Sequence, residues 1–265
     1  MEGDKVSEFA GVFAVVTGAG SGIGAATARA LAERGAERVY LLDVVEEAVD
    51  AVARDIPASI ALAVDVSDPG LVAKAFDTVV ADCGRIDVVV HAAGIDDPVS
   101  KQWIAEAGDT GEPVDVIGRL TDDMWRRVMA INLDGTFHVL REAVRVMRGR
   151  GGGSVVTVGS SSAFDTLIGY PHYSASKAAV HALTQSVAKE VLPFGIRVNT
   201  VAPGPVDTGM AARTPAPVRA SMAAGPARGY ASPEELADTI LYLASAGAAN
   251  VVGAVVLSNG GRFTV

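Results

Sequence analysis

The sequence predicts an α/β fold of the doubly wound type, a single parallel sheet of about seven strands with helices on both faces. Two observations carry this prediction. Short apolar, β-branched runs recur at residues 12–17, 39–43, 60–64, 88–91, 155–158, 196–201 and 254–257, with segments of helical composition between them at 22–34, 45–54, 69–83, 121–147, 173–192 and 233–244. Such alternation reads as parallel strands joined by helical crossovers. In addition, Gly18, Asp43, Asp65, Gly94, Ser160 and Pro203 all fall at or just after the end of a different strand run, where a sheet of this kind opens its ligand crevice.

The first run, V-F-A-V-V-T, is followed by Gly18-Ala19-Gly20-Ser21-Gly22-Ile23-Gly24 and then by an alanine-rich stretch at 25–34. β-Branched residues suit a pleated strand and alanine suits a helix. Glycine lets the backbone approach a pyrophosphate without a Cβ in the way, and the free N–H groups and dipole of a helix start favour negative charge. Strand, glycine turn and helix in this order form the context a dinucleotide fingerprint requires, that of the Rossmann fold. The second run ends in Asp43, 19 residues past Gly24, where a carboxylate accepts hydrogen bonds from the adenosine ribose and repels a 2′-phosphate. The expected cofactor is therefore NAD rather than NADP.

Tyr173-Ser174-Ala175-Ser176-Lys177 sets a phenol and an ammonium four residues apart, on one face of a helix. A nearby cation favours the phenolate, and lowering a tyrosine by about 3 pH units takes roughly 4 kcal/mol. Any amphipathic helix can carry this pattern, but beside a dinucleotide turn it points to proton transfer.

Together these residues resemble the classical short-chain dehydrogenase/reductase family, over residues 12 to about 261. Thr17 to Gly24 fits T-G-x-x-x-G-x-G, with Gly18, Ser21, Gly22, Ile23 and Gly24 at the cofactor. By this resemblance Asp65 and Val66 border the adenine, while Pro203, Gly204, Val206 and Thr208 line the nicotinamide. Asn132 matches the family's helix asparagine. Ser160, 13 residues before Tyr173, stands where the catalytic serine is expected. Ser161 is the second choice for that role, and Ser162 reads as a support for the turn. The implied catalytic set is Asn132, Ser160, Tyr173 and Lys177, with Lys177 also holding the nicotinamide ribose and Asn132 a relay water.

Two departures from the family pattern stand out. N-N-A-G becomes His91-Ala92-Ala93-Gly94; Ala92, Ala93 and Gly94 keep the close approach to the cofactor, while His91 is a polar strut or a titrating group. An insertion near 95–120 also separates Gly94 from Trp125. It carries Asp96, Asp97, Glu106, Asp109, Glu112 and Asp115 against Lys101 and Arg119. A polar outer surface is expected, with Trp103, Ile104, Val114 and Ile117 turned inward and a role in specificity. A second irregular stretch, 208–230, corresponds to the family's substrate flap, with Met210, Met222 and Pro215 on its inner face.

The 265 residues suit one domain spanning 1–265, and no apolar run reaches the roughly 18 residues of a membrane span. The start, 1–9, lacks the basic and apolar regions of a secretory signal, so a cytoplasmic location is expected. Cys83 is the only cysteine, which rules out an intramolecular disulfide. His91, His138, His172 and His181 follow no metal-ligand spacing, so no metal is expected; His172 reads as an exposed loop residue. A net charge of −9 argues against nucleic acid as a partner, and Arg141, Arg145, Arg148 and Arg150 read as a solvated helix face.

The function implied by the resemblance is reversible hydride transfer between NAD and a secondary alcohol or ketone, a small-molecule substrate, with Tyr173 as general base or acid. The resemblance also implies a homotetramer that pairs the helices bearing Asn132 and Tyr173 and uses residues 259–265. The alternatives are an NADPH-dependent 3-oxoacyl-[acyl-carrier-protein] reductase, a non-catalytic NAD-binding sensor, and a dehydratase or epimerase of the extended family.

Overall fold

Successive residues of a strand face opposite sides of a sheet, and in this chain both sides are buried. The computed structural model describes residues 7–223 and 227–265. In β1 (Phe13–Thr17), Ala14 and Val16 enter one apolar core while Val15 enters the other. The elements that follow are α1 (Gly22–Glu33), β2 (Arg38–Asp43), α2 (Glu46–Arg54), β3 (Ser59–Ala63), α3 (Pro69–Cys83) and β4 (Val88–His91). Next come α4 (Pro98–Thr110), α5 (Asp122–Met129), a π-helical segment (Ala130–Asp134), α6 (Gly135–Met147), β5 (Gly153–Val158) and α7 (Pro171–Val191). The chain ends with β6 (Ile196–Pro203), α8 (Gly209–Ala212), α9 (Ala216–Ala223), α10 (Pro233–Ala244) and β7 (Val255–Ser258).

All seven strands are parallel, in the order β3-β2-β1-β4-β5-β6-β7. One core joins Ala14, Val16, Val39, Leu41 and Val90 to Leu31 of α1 and to Leu236 and Ile240 of α10. The other joins Val15, Tyr40, Val89 and Val155 to Phe76 of α3 and to Leu140 and Met147 of α6. Each Val, Leu, Ile, Phe or Met among them, fully buried, contributes roughly 1.5–3 kcal/mol. The order reverses between β1 and β4, and a crevice opens there at the strands' carboxyl ends.

The helix starts follow one local chemistry. Asp68 caps α3 through the Gly70 and Leu71 N–H groups, with Pro69 in the first turn. Ser232 and Glu235 form a reciprocal capping box at α10, followed by Pro233. Asp97 and Pro98 repeat the arrangement at α4, where Asp97 accepts from the Val99 and Ser100 N–H groups. The 95–120 insertion, expected as irregular chain, thus contains a 13-residue helix. The 208–230 stretch likewise holds α8 and α9; the side chain of Met222 lies outside the described residues.

Three further expectations are corrected. The helix expected over 121–147 is interrupted by the π-helical turn at Asn132. α7 begins at Pro171, so His172 is helical and fully buried rather than an exposed loop residue. In the insertion, Asp96, Asp97 and Lys101 are buried while Ile117 is 71% exposed; charge pairing, not polarity, decides which side chains turn inward. Ile104 and Val114 do pack inward, against the backbone at Gly169, and Trp103 lies beneath the Arg119 guanidinium.

At the end of β4, His91 is a strut. Thr17 Oγ1 accepts from the Ala93 N–H at 3.2 Å and is hydrogen-bonded to His91 Nδ1 at 2.8 Å. Burial and the Lys177 charge push the imidazole down to about 3, so it is neutral. Below about 6.5 the unfolded chain therefore takes up a proton that the folded chain refuses. Stability is lost as pH falls from there towards about 3. His181 and His172, also pushed down by burial, act in the same direction. We predict that His91→Asn flattens the acid decline by about 1.4 kcal/mol per pH unit between pH 6 and 4, as read by urea unfolding at a series of pH values.

Candidate active site

The crevice is a cleft of about 1350 Å³ that runs along the carboxyl edge of the sheet. Every residue expected at the cofactor lines it, from Gly18 to Thr208, together with Ser160, Tyr173 and Lys177. Asn132 does not reach the cleft surface and is almost fully buried behind it.

The glycine turn forms a cradle that no side chain could share. Gly18 has φ +65°, and a Cβ there would lie 2.7 Å from the Ala93 nitrogen; at Gly24 it would lie 2.2 Å from the Gly18 carbonyl oxygen. This close approach brings the start of α1 to the cleft with backbone N–H groups free for a pyrophosphate. At the end of β2, Asp43 accepts from the Gly20 N–H at 2.9 Å and from the Val45 N–H at 3.0 Å. Its carboxylate is thereby fixed at the mouth of the turn, where it suits two ribose hydroxyls. Asp65 is likewise held by the Ser67 N–H and hydroxyl, and Thr208 caps α8 at the far wall. These residues fit a nicotinamide dinucleotide, whose phosphates Gly18–Gly24 could hold and whose adenosine ribose Asp43 could meet.

The catalytic candidates arise from three elements. β5 delivers Val158 and then Ser160, which opens a single 3-10 turn. Ser160 Oγ accepts from the Ser162 N–H at 3.2 Å and from its hydroxyl at 2.9 Å, so its own proton is free to point at a neighbour. That neighbour is the Tyr173 hydroxyl. Ser162 therefore supports the turn, as the sequence suggested, while Ser161 makes no such contact. From the next turn of α7, Lys177 Nζ donates to the Val158 carbonyl at 2.9 Å and sits 6.0 Å from the Tyr173 ring.

The electrostatics depart from the sequence expectation of a lowered phenol. Burial raises Tyr173 above its ordinary value, the Ser160 hydrogen bond opposes that rise, and the Asp96 charge adds to it. Burial pushes Lys177 down to about 8. Desolvation disfavours both charged forms, and the ammonium is directed at a carbonyl rather than at the phenol.

Two supports behind these groups shape the site. Asn132 presents its amide from the π-helical turn: Oδ1 accepts from the Ile95 N–H at 2.8 Å, and Nδ2 donates to the Ile95 carbonyl and to Ser176 Oγ, both at 3.0 Å. It clamps the chain leaving β4 to α7; π-bulges of this type recur at functional sites. His181 was not singled out from the sequence for the site. Its Nε2 accepts from the Ser160 N–H at 3.3 Å, and a Cβ at Gly159 would overlap it. The signal was present, since 173, 177 and 181 recur every four residues on one face of α7.

Above these groups lies a buried charged cluster. Asp96 pairs with Lys101 and, at 3.1 Å, with Arg213; Lys101 also donates to the Met210 carbonyl at 2.9 Å and to Thr214 Oγ1 at 3.1 Å. The insertion is thereby tied to α8 across the cleft. Among the described residues no group of three or more His, Cys, Asp or Glu is placed to hold a metal ion, and no helix is long and apolar enough to cross a membrane.

Comparison with known proteins identifies relatives along nearly the whole chain. Residues 18–262 match a family model described as enoyl-(acyl carrier protein) reductase. The chain is 43% identical to cis-4-hydroxycyclohexanecarboxylate dehydrogenase of Sinomonas cyclohexanicum, over 97% of this chain and 98% of that protein. It is 33% identical to a 3-oxoacyl-[acyl-carrier-protein] reductase of Thermotoga maritima, over 95% and 97% of the two chains. The crystal structure of a short-chain type dehydrogenase/reductase from Mycobacterium marinum superposes with a TM-score of 0.85 at 30% identity, covering 98% of this chain and 99% of that one. The chain belongs to the classical short-chain dehydrogenase/reductase family of nicotinamide-dependent oxidoreductases.

Proposed function

We propose that the protein is an NAD-dependent dehydrogenase that interconverts a secondary alcohol, in particular a ring-borne hydroxyl, with its ketone. The observation that carries this reading is the convergence of Ser160, Tyr173 and Lys177 in the same cleft as the Gly18–Gly24 cradle and Asp43. The 43% identical hydroxycyclohexanecarboxylate dehydrogenase supports a ring alcohol. Bound in the cradle, the cofactor supplies the hydride acceptor for oxidation and the donor for reduction.

The chain's own residues handle the proton. Ser160, its oxygen loaded by Ser162, donates a hydrogen bond to the substrate oxygen and holds it beside Tyr173. Tyr173 takes the alcohol proton in oxidation and returns it in reduction. Lys177, anchored on Val158, contributes a positive charge that favours the phenolate once the site is polar, and Asn132 keeps the Ile95 turn and α7 in register beneath it. Because burial raises Tyr173, the neutral phenol dominates at pH 7; this favours reduction at neutral pH and oxidation at alkaline pH.

The carrier-protein reductase reading has several relatives in its favour. Asp43 stands against it, since a carboxylate held at the ribose position disfavours a 2′-phosphate. A homotetramer is supported by Trp125 and Phe137, large apolar residues left exposed on α5 and α6.

Purified protein should reduce NAD in the presence of at least one of cyclohexanol, 4-hydroxycyclohexanecarboxylate and galactitol; no turnover with any of them would reject the reading. Tyr173→Phe should retain NAD affinity and lose about 10²–10⁴ in kcat, and a variant above a tenth of wild-type activity would remove Tyr173 from the chemistry. Asp43→Ala should shrink the ratio of kcat/KM for NAD over NADP at least tenfold. Equal wild-type use of the two cofactors would favour the carrier-protein reductase.

A further inference from the structure

The charged cluster at the substrate end of the cleft is not needed for proton transfer, and it is not balanced. Asp96, 5% exposed, faces two cations. Lys101 is as deeply buried, and its three ammonium donors are taken by Asp96, the Met210 carbonyl and Thr214 Oγ1. Lys101 therefore neutralises Asp96 within the fold and has nothing left to offer a ligand.

Arg213 differs in each respect. Its side chain is 51% exposed and lines the cleft, and Asp96 fixes it through one nitrogen at 3.1 Å. A guanidinium has five N–H donors in a rigid fork that matches a carboxylate. Among the described residues Arg213 makes no other hydrogen bond or ion pair, so its remaining donors face the cleft with their orientation set by a buried carboxylate. The position relative to the chemistry follows from Asp96, whose charge acts on both Tyr173 and Tyr170. Arg262, exposed on the same cleft, adds positive charge, while Asp165 on the Ser160 side is an exposed carboxylate.

We infer that Arg213 is a substrate-anchoring residue: the alcohol oxidised here carries a carboxylate remote from its carbinol, bound by the free donors of the Arg213 fork while the hydroxyl meets Ser160 and Tyr173. The inference deepens the dehydrogenase reading and rests on it for the position of the hydroxyl. Lys101 and Asp96 serve as the buried mount that presents the guanidinium, which explains why a costly buried ion pair is placed at the roof of the cleft.

The test compares 4-hydroxycyclohexanecarboxylate with its methyl ester, which has the same ring and hydroxyl without the charge. Wild type should favour the acid at least tenfold in kcat/KM. Arg213→Gln should lower that acid-to-ester ratio at least tenfold, mainly through KM, and Arg213→Lys should recover part of it. An equal fall for acid and ester would mean that Arg213 only supports the fold, and would overturn the inference. Calorimetric titration of cyclohexanecarboxylate, which has no hydroxyl to oxidise, into NAD-loaded protein separates the two readings. Binding lost in Arg213→Gln sustains the anchor even if no alcohol is oxidised, whereas turnover without Arg213-dependent binding sustains the dehydrogenase and rejects the anchor.

Discussion

The Lys177 ammonium is almost fully buried, donates to the Val158 carbonyl at 2.9 Å and has no ion pair among the described residues. A charge taken out of water without a counter-charge is costly, and its ionisation shifts in response; at about 8 it still holds its proton at neutral pH. Much of the site is arranged around that cost. β5 must end where its last carbonyl meets the ammonium, α7 must approach at the correct turn, and Gly94 leaves the ammonium room, since a Cβ there would stand a tight 3.2 Å from Lys177 Nζ. The imidazoles nearest to it, His91 and His181, are both kept neutral by burial and by the Lys177 charge. Burial, aided by this cation, thus keeps the neighbouring imidazoles neutral, and the proposed proton exchange falls to Tyr173.

A second buried charge system solves a different problem. The 95–120 insertion leaves the sheet immediately after Gly94, and a helix there would sit against polar chain from α8. Pairing Asp96 with Lys101 and Arg213, and directing Lys101 at the Met210 carbonyl, satisfies both segments at once. Buried ion pairs are weak evidence for stability but good devices for fixing one arrangement over others. Here the arrangement fixed is the roof of the cleft.

The fold was legible because its signals are local and repeat. Apolar strand runs, glycine turns and Asp-Pro or Ser-Pro helix starts each act within a few residues, and the α3 and α10 boundaries follow them closely. Asp97-Pro98 carried the same helix-start signal as Asp68-Pro69, yet it was hidden in a stretch whose carboxylates suggested solvated loop. The burial of Asp96 and Lys101 could not be read at all, because Met210, Thr214 and Arg213 come to them from more than a hundred residues away. The raised Tyr173 phenol was equally hidden: four-residue spacing tells that two side chains share a helix face, not that the fold buries the phenol or that Val158 takes the ammonium. His172 shows the reverse case, a polar residue whose burial depends on the helix starting two residues earlier than its composition indicated.

The central claim is that the buried Tyr173–Lys177 pair sets the pH at which the alcohol proton moves. The pH dependence of kcat/KM for alcohol oxidation, measured in wild type and in Lys177→Met, tests it directly. In wild type the rate should rise through an apparent pKa above neutrality, since burial raises the phenol, while a nearby cation favours the phenolate. Removing the ammonium should move the rising limb to higher pH and lower its plateau. A limb that stays in place, or moves to lower pH, when Lys177 is replaced would show that the pair does not control the proton and would contradict the account.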